Sequence, residues 1–212
     1  MILAFLQVGN DLSLPTLMVD SVRKVMPGLP ILQMTDMLTP PVPGVDMIAR
    51  KEYDGKLMTF RMRHLADLEE DFITLDTDVI VRKDLRHIFE SSFDVALTMR
   101  QSAVTSLNGI DLAKAMPYNT GLMLSRNSRF WRDALAVLIK LNPETHLWWG
   151  DQLSVKVVVE TGNYAVKTLS CDEYNYTPKS RLDMPDVHMI HYKGERKKWM
   201  LKNGQIFSST AS

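Results

Sequence analysis

The sequence predicts an α/β domain on a mostly parallel sheet with helices on both faces. Three observations carry that reading. Strand-like and helix-like segments alternate along the chain. The strand candidates are continuous apolar runs, as strands covered on both faces require. The 212 residues are 45% apolar, enough to bury one substantial core. One domain over 1–212 is expected, because two at this length would each be small.

"ILAFLQV" (2–8) is apolar until it stops at "GND", a turn signal. "LPTLMVDSVRKVM" (14–26) places Leu17, Met18, Val22, Val25 and Met26 at helical spacing, with Pro15 suited to a first turn and Pro27-Gly28 to a stop. "PILQMTD" (30–36) then completes a β-α-β unit. The prolines of "MLTPPVPGVD" predict an irregular connection leading to a short strand at 45–50. "LMTFRMRHLADLEE" (57–70) predicts a helix with Leu57, Phe60, Leu65 and Leu68 inward. "FITLDTDVIV" (72–81), "DVALTMR" (94–100) and "YNTGLMLSR" (118–126) are further strands. "SRFWRDALAVLIKLN" (128–142) is an amphipathic helix started by a Ser cap and ended before Pro143. Residues 150–160 predict a helix entered through Gly150-Asp151, against their valine content. There is no internal repeat and no low-complexity segment.

Lys plus Arg (25) equals Asp plus Glu (25), so the net charge is zero and offers no long-range field for nucleic acid or an anionic membrane. Cys171 is the only cysteine, which excludes an intrachain disulfide and a cysteine-rich zinc site and points to a reducing, cytoplasmic setting. The apolar start carries no basic leader, and no stretch is long enough to span a bilayer, so stable membrane insertion is not expected.

Sheets of this type bind ligands at the carboxyl ends of their strands. Asp76 and Asp78 lie there, inside "FITLDTDVIV", where period-two alternation would send both carboxylates to one side. About one Asp-x-Asp is expected by chance in such a composition, so the tripeptide alone decides nothing. The aspartates could cap a turn or pair with Arg82 and Lys83. Alternatively, two like charges beside a buried run are stabilised by a hard cation, magnesium, manganese or calcium.

Four separated segments resemble the family 8 glycosyltransferases, metal-dependent GT-A enzymes that use nucleotide-sugar donors. "LDTDVIV" is similar to their Leu-Asp-x-Asp strand end, "YNTGLMLSR" to their Asn-x-Gly strand and "WWGDQLSV" to their Asp-Gln turn. "VHMIHYKGERKKW" is similar to their closing His-x-x-Gly-x-x-Lys-Pro-Trp, with Lys198 in place of the proline, and "EYNY" (173–176) to their Tyr-Asn segment. Order and spacing agree over about 70–200, while 1–50 match only as a β-α-β pattern.

The resemblance implies that Asp76, Asp78 and His191 ligate Mn2+ or Mg2+ bridging the donor's two phosphates. It implies Gly194, Lys197 and Thr77 at the donor, and Asn119, Asp151 and Gln152 at the reaction centre. Gln7, Val8 and Asn10 are placed at the nucleobase by position only, since "QVGND" replaces the family's acidic-asparagine-tyrosine run. Arg61 is a candidate for the donor phosphates, with Arg63 competing. The implied partners are a UDP-sugar and an acceptor that is a glycan, a protein or a small molecule, and the implied outcome is retention. Residues 1–80 would form the nucleotide half and 81–212 the acceptor and metal-closing half.

Elementary chemistry is consistent with this. Charge grows on a leaving diphosphate, and a Lewis acid there lowers the barrier. His191 must be neutral to ligate, so binding should weaken as pH falls. Lys193, Arg196, Lys197 and Lys198 against Glu195 suit a diphosphate, although charge runs are commonly solvated faces. Asp151 also suits an N-cap for a helix beginning at Gln152, and Trp148 and Trp149 suit either core or sugar stacking. Residues 98–117 are a candidate acceptor-side loop. Rival readings are a haloacid-dehalogenase-like phosphatase, which "LDTDV" also satisfies but whose later acidic pair is missing; a sugar nucleotidyltransferase, whose glycine-rich loop is missing; and a non-catalytic sugar-nucleotide or glycan binding module.

Overall fold

A seven-stranded mixed sheet divides the apolar side chains between two cores. The computed structural model describes residues 1–101, 109 and 111–209, with side chains up to 203. In chain order the strands are β1 (Ile2–Leu6), β2 (Ile31–Thr35), β3 (Met47–Arg50), β4 (Phe72–Leu75), β5 (Val79–Val81), β6 (Val95–Met99), β7 (Tyr118–Ser125), β8 (Val166–Ser170) and β9 (Met189–His191). The large sheet runs β3-β2-β1-β4-β7-β6-β8 and is parallel except for β7, which is antiparallel to both β4 and β6. β5 and β9 form a separate antiparallel pair.

Period-two alternation sorts the strand residues. Leu3, Phe5, Ile73, Leu75, Leu122 and Leu124 enter one core, and Ile2, Ala4, Phe72 and Met123 the other. α1 (Ser13–Val25) and the β5–β9 pair cover the first face, with α7 (Lys197–Ser209) against α1. α2 (Leu57–Leu65), α4 (Ser128–Lys140) and α5 (Gly150–Glu160) pack on one another over the second. α3 (Leu112–Ala115) and α6 (Cys171–Tyr174) are single turns. Among the described residues no helix is long and apolar enough to cross a membrane.

The expected β-α-β start, the sheet type and the long helices are present. "FITLDTDVIV" is not one strand: β4 ends at Leu75, Thr77 and Asp78 form a turn, and β5 joins the other sheet. The Asp76 N–H still bonds to the Gly121 carbonyl beside β4, but the Asp78 carbonyl accepts from the Tyr192 N–H after β9. The chain therefore changes sheets between the two aspartates, and a turn, not strand alternation, orients them. The cap of α4 is Asn127, whose side chain accepts from the Arg129 N–H at 3.1 Å; Ser128 already lies in the helix. α2 ends at Leu65, short of the expected 70. Of the acceptor-side segment 98–117, residues 102–108 and 110 lie outside the described residues.

Candidate active site

The parallel strands β1 and β4 end on one rim, and the turn after β4, the N-terminus of α5 and the end of β9 close around a cavity of about 460 Å³. Asp76, Thr77, Asp78, Asn119, Asp151, Gln152, His191, Gly194 and Lys197 all line it, together with Gln7, Val8 and Arg61. Asn10 does not; it is exposed beyond the turn. The Gln7 amide donates to the carbonyls of Gly9 and Asp11, at 3.1 and 3.2 Å, and so shapes that turn.

Pairing of Val79 with His191 between β5 and β9 brings the imidazole to the aspartate turn. His191 Nε2 lies 3.0 Å from Asp78 Oδ1 and 3.6 Å from Asp76 Oδ2. One ligand atom from each of the three residues can be chosen so that all lie within 4.8 Å of one another. The other ring nitrogen, Nδ1, is 2.7 Å from Asn175 Oδ1. Asn175 Nδ2 donates to Thr98 Oγ1 and Asn119 Oδ1, at 2.8 and 2.7 Å, which fixes the amide and makes its Oδ1 the acceptor. Nδ1 therefore carries the proton. In the neutral ring Nε2 then turns a lone pair toward two carboxylates, an arrangement that a shared cation stabilises.

Gly121 makes this seat possible. A Cβ there would lie 2.4 Å from both Cε1 and Nδ1 of His191. Its neighbour Thr120 donates to Asp151 Oδ2 at 2.8 Å. Arg61, buried on α2, bridges Asp76 Oδ1 at 2.9 Å and Asp151 Oδ2 at 3.2 Å and donates to the Thr120 carbonyl. Arg63 instead pairs with Asp54 outside the cavity. Asp151 is not an N-cap: α5 begins at Gly150, and the N-cap position is held by Trp149 in the left-handed region at φ 68°, with no side-chain capping bond. Asp151 is buried in the first turn and committed to Arg61 and Thr120. Trp148 and Trp149 are exposed on the cavity wall.

Of the basic run, only Lys193 and Lys197 line the cavity. Lys197 Nζ lies 3.4 Å from Asp78 Oδ2, whereas Arg196 bonds to the Pro178 carbonyl and Lys198 pairs with Glu195.

No protein-family model and no curated protein matches the chain. Among solved structures it is similar to the galactosyltransferase LgtC in complex with donor and acceptor sugar analogs, with a TM-score of 0.60 and 14% identity over 99% of this chain and 96% of that one. It is also similar to the glycosyltransferase GlyE of Streptococcus pneumoniae TIGR4, with a TM-score of 0.63 and 17% identity over 100% of this chain but only 65% of that one. The chain has the GT-A fold.

In this GT-A domain the electrostatics of the aspartate turn are split. Burial raises the Asp76 carboxyl above its usual range, with Arg61 and His191 pulling the other way. For Asp78 burial also raises the value, but His191 in its protonated form, and then Lys197, outweigh it and bring it to about 2, so that with no cation bound a proton on the imidazole takes the place of one. The donor set, two carboxylates and an imidazole with its far nitrogen anchored, fits a hard divalent ion. Asn175 and Gly121 have no role assigned by sequence alone. Their only signals were the "EYNY" and "NTG" segments, and neither states what it touches.

Proposed function

We propose that the chain is a metal-dependent glycosyltransferase that moves a hexose from a UDP-sugar to a hydroxyl acceptor with retention of anomeric configuration. One observation carries this reading: Asp76, Asp78 and an orientation-locked His191 converge in a cavity that also presents Lys197. Manganese or magnesium held by these three residues would supply Lewis acidity to the diphosphate as charge develops on the leaving oxygen. Residues 1–80 would hold the nucleotide, with Gln7, Val8 and Thr77 along its side of the cavity. Lys197 and the backbone at Gly194, which enters the turn before α7, would receive the phosphates.

Arg61 is occupied on both sides by carboxylates, so its proposed role is to position Asp76 and Asp151. Gln152 and Asn119 border the reaction centre, each with its side-chain oxygen already accepting a hydrogen bond, from Arg100 and Asn175. Residues 81–212 would supply the acceptor side, with Trp148 and Trp149 as a stacking platform for a sugar ring. The phosphatase reading fits less well. Its attacking aspartate would be Asp76, whose Oδ1 is held by Arg61, and the one further cavity acid among the described residues is the paired Asp151.

The test is release of nucleoside diphosphate from a panel of UDP- and GDP-sugars with manganese, because slow donor hydrolysis needs no acceptor. Release should require both Asp78 and His191. No release from any donor, or undiminished release by Asp78→Asn and His191→Ala, would sink the proposal. Donor binding without turnover would make the chain a binding module, and phosphate release from a phosphomonoester would make it a phosphatase.

A further inference from the structure

The cavity carries more positive charge than a neutral sugar donor uses. Its lining holds four cations, Arg61, Arg100, Lys193 and Lys197, against three carboxylates, Asp76, Asp78 and Asp151. If the donor reading above holds, a divalent ion and a diphosphate enter together and cancel, leaving one positive charge unanswered.

Its place can be traced through the pairings. Arg61 bridges Asp76 and Asp151, and Lys197 pairs with Asp78. Asp76 and Asp78 in the same lining attract Lys193 from further off, but it makes no ion pair within contact distance among the described residues. Nor does any acidic side chain lie outside them, since 102–108, 110 and 204–212 contain neither Asp nor Glu. Arg100 lines the same cavity as Lys193. Bonds to the carbonyls of Met116 and Tyr118 and to Gln152 Oε1, the last at 2.7 Å, hold it there. Two cations thus face one cavity, with the acidic group nearest to both being Cys171, a thiol whose burial pushes its value up and so favours its neutral form. Such an arrangement costs free energy unless an anion joins it.

We infer that Arg100 and Lys193 form a subsite for a carboxylate carried by a sugar at the reaction centre, so that one of the two substrates is a hexuronic acid. Arg100 is the fixed donor, and Lys193, on its flexible stem, closes on the second oxygen. This rests on the donor reading above, and two arms distinguish the sources. In the first, tryptophan fluorescence of the full chain with manganese is titrated with UDP, UDP-hexoses and UDP-hexuronates. In the second, the UDP- and manganese-saturated protein is titrated with hexuronates and the matching neutral hexosides.

The expected result is about tenfold tighter binding of the uronate than of its neutral partner in one arm. That preference should fall to about twofold or less in Lys193→Met and survive in Lys193→Arg. Equal binding of acidic and neutral sugars in both arms, with UDP bound normally, overturns this inference alone. So does a preference that persists in Lys193→Met. Failure of UDP itself to bind overturns the donor reading and this inference with it.

Discussion

His191 Nδ1 is hydrogen-bonded to Asn175 Oδ1 at 2.7 Å, and that bond decides which nitrogen faces the aspartate turn. The amide is fixed in turn by Thr98 and Asn119 on neighbouring strands. A buried polar chain of this kind sets the tautomer before any ion arrives.

Removing the anchor should therefore weaken metal binding without touching a ligand. Asn175→Ala is expected to raise the manganese dissociation constant roughly 10- to 100-fold. Titration with manganese, followed by electron paramagnetic resonance of the free ion, reads this directly. An unchanged constant would remove Asn175 from the site.

Gly121→Ala places a Cβ 2.4 Å from the His191 ring. The imidazole must shift, so metal binding should be lost and unfolding made easier by about 1–3 kcal/mol. Manganese titration and urea denaturation of the same preparation measure both effects. Metal binding at the native constant would show that the ring has another seat.

Arg61 neutralises two carboxylates in a site where only 6% of its own side chain is exposed. Arg61→Met leaves both unpaired and should cost about 3–5 kcal/mol of stability. Adding Asp151→Asn should recover part of that loss, since one of the unpaired charges is removed. Denaturation midpoints of the single and double variants check the sign, and a double variant less stable than Arg61→Met would refute the pairing.

His64, 2% exposed on α2 with Nε2 unpartnered among the described residues, is held neutral by burial, which lowers its value from 6.5 to about 4. Because the folded value is the lower one, the unfolded chain binds the extra proton in that window. Stability from this group is complete above about 6.5 and falls as the pH drops toward about 4, by about 2–3 kcal/mol at pH ~4.5. Urea denaturation at the two ends, compared with His64→Leu, isolates it. A variant with the same pH dependence as the parent would exclude His64 as the source.

Much of this architecture was legible in the chain. Ile2, Leu3, Ala4 and Phe5 are apolar without alternation, and they lie in a central strand covered on both faces. The aspartates were expected at a strand end and stand at one. The split of "FITLDTDVIV" between two sheets was not legible, because "VIV" satisfies either sheet equally and only its pairing with β9 decides. Arg61 and Arg63 could not be separated either: both lie on one helix two residues apart, and which of them turns inward depends on where α2 docks.

Sequence by itself determined the sheet class and the residue types, paired aspartates and a basic run, that the site draws on, because periodicity and composition are local properties. Tertiary structure decided which atoms meet. Asp78 and His191 are separated by more than a hundred positions, and their 3.0 Å contact follows from strand pairing, a close approach over Gly121 and an amide on a third segment. Lys193 and Arg100 likewise become a pair only when the ends of β9 and β6 close on one cavity. Contacts of this kind arise from long-range packing, which no local pattern encodes.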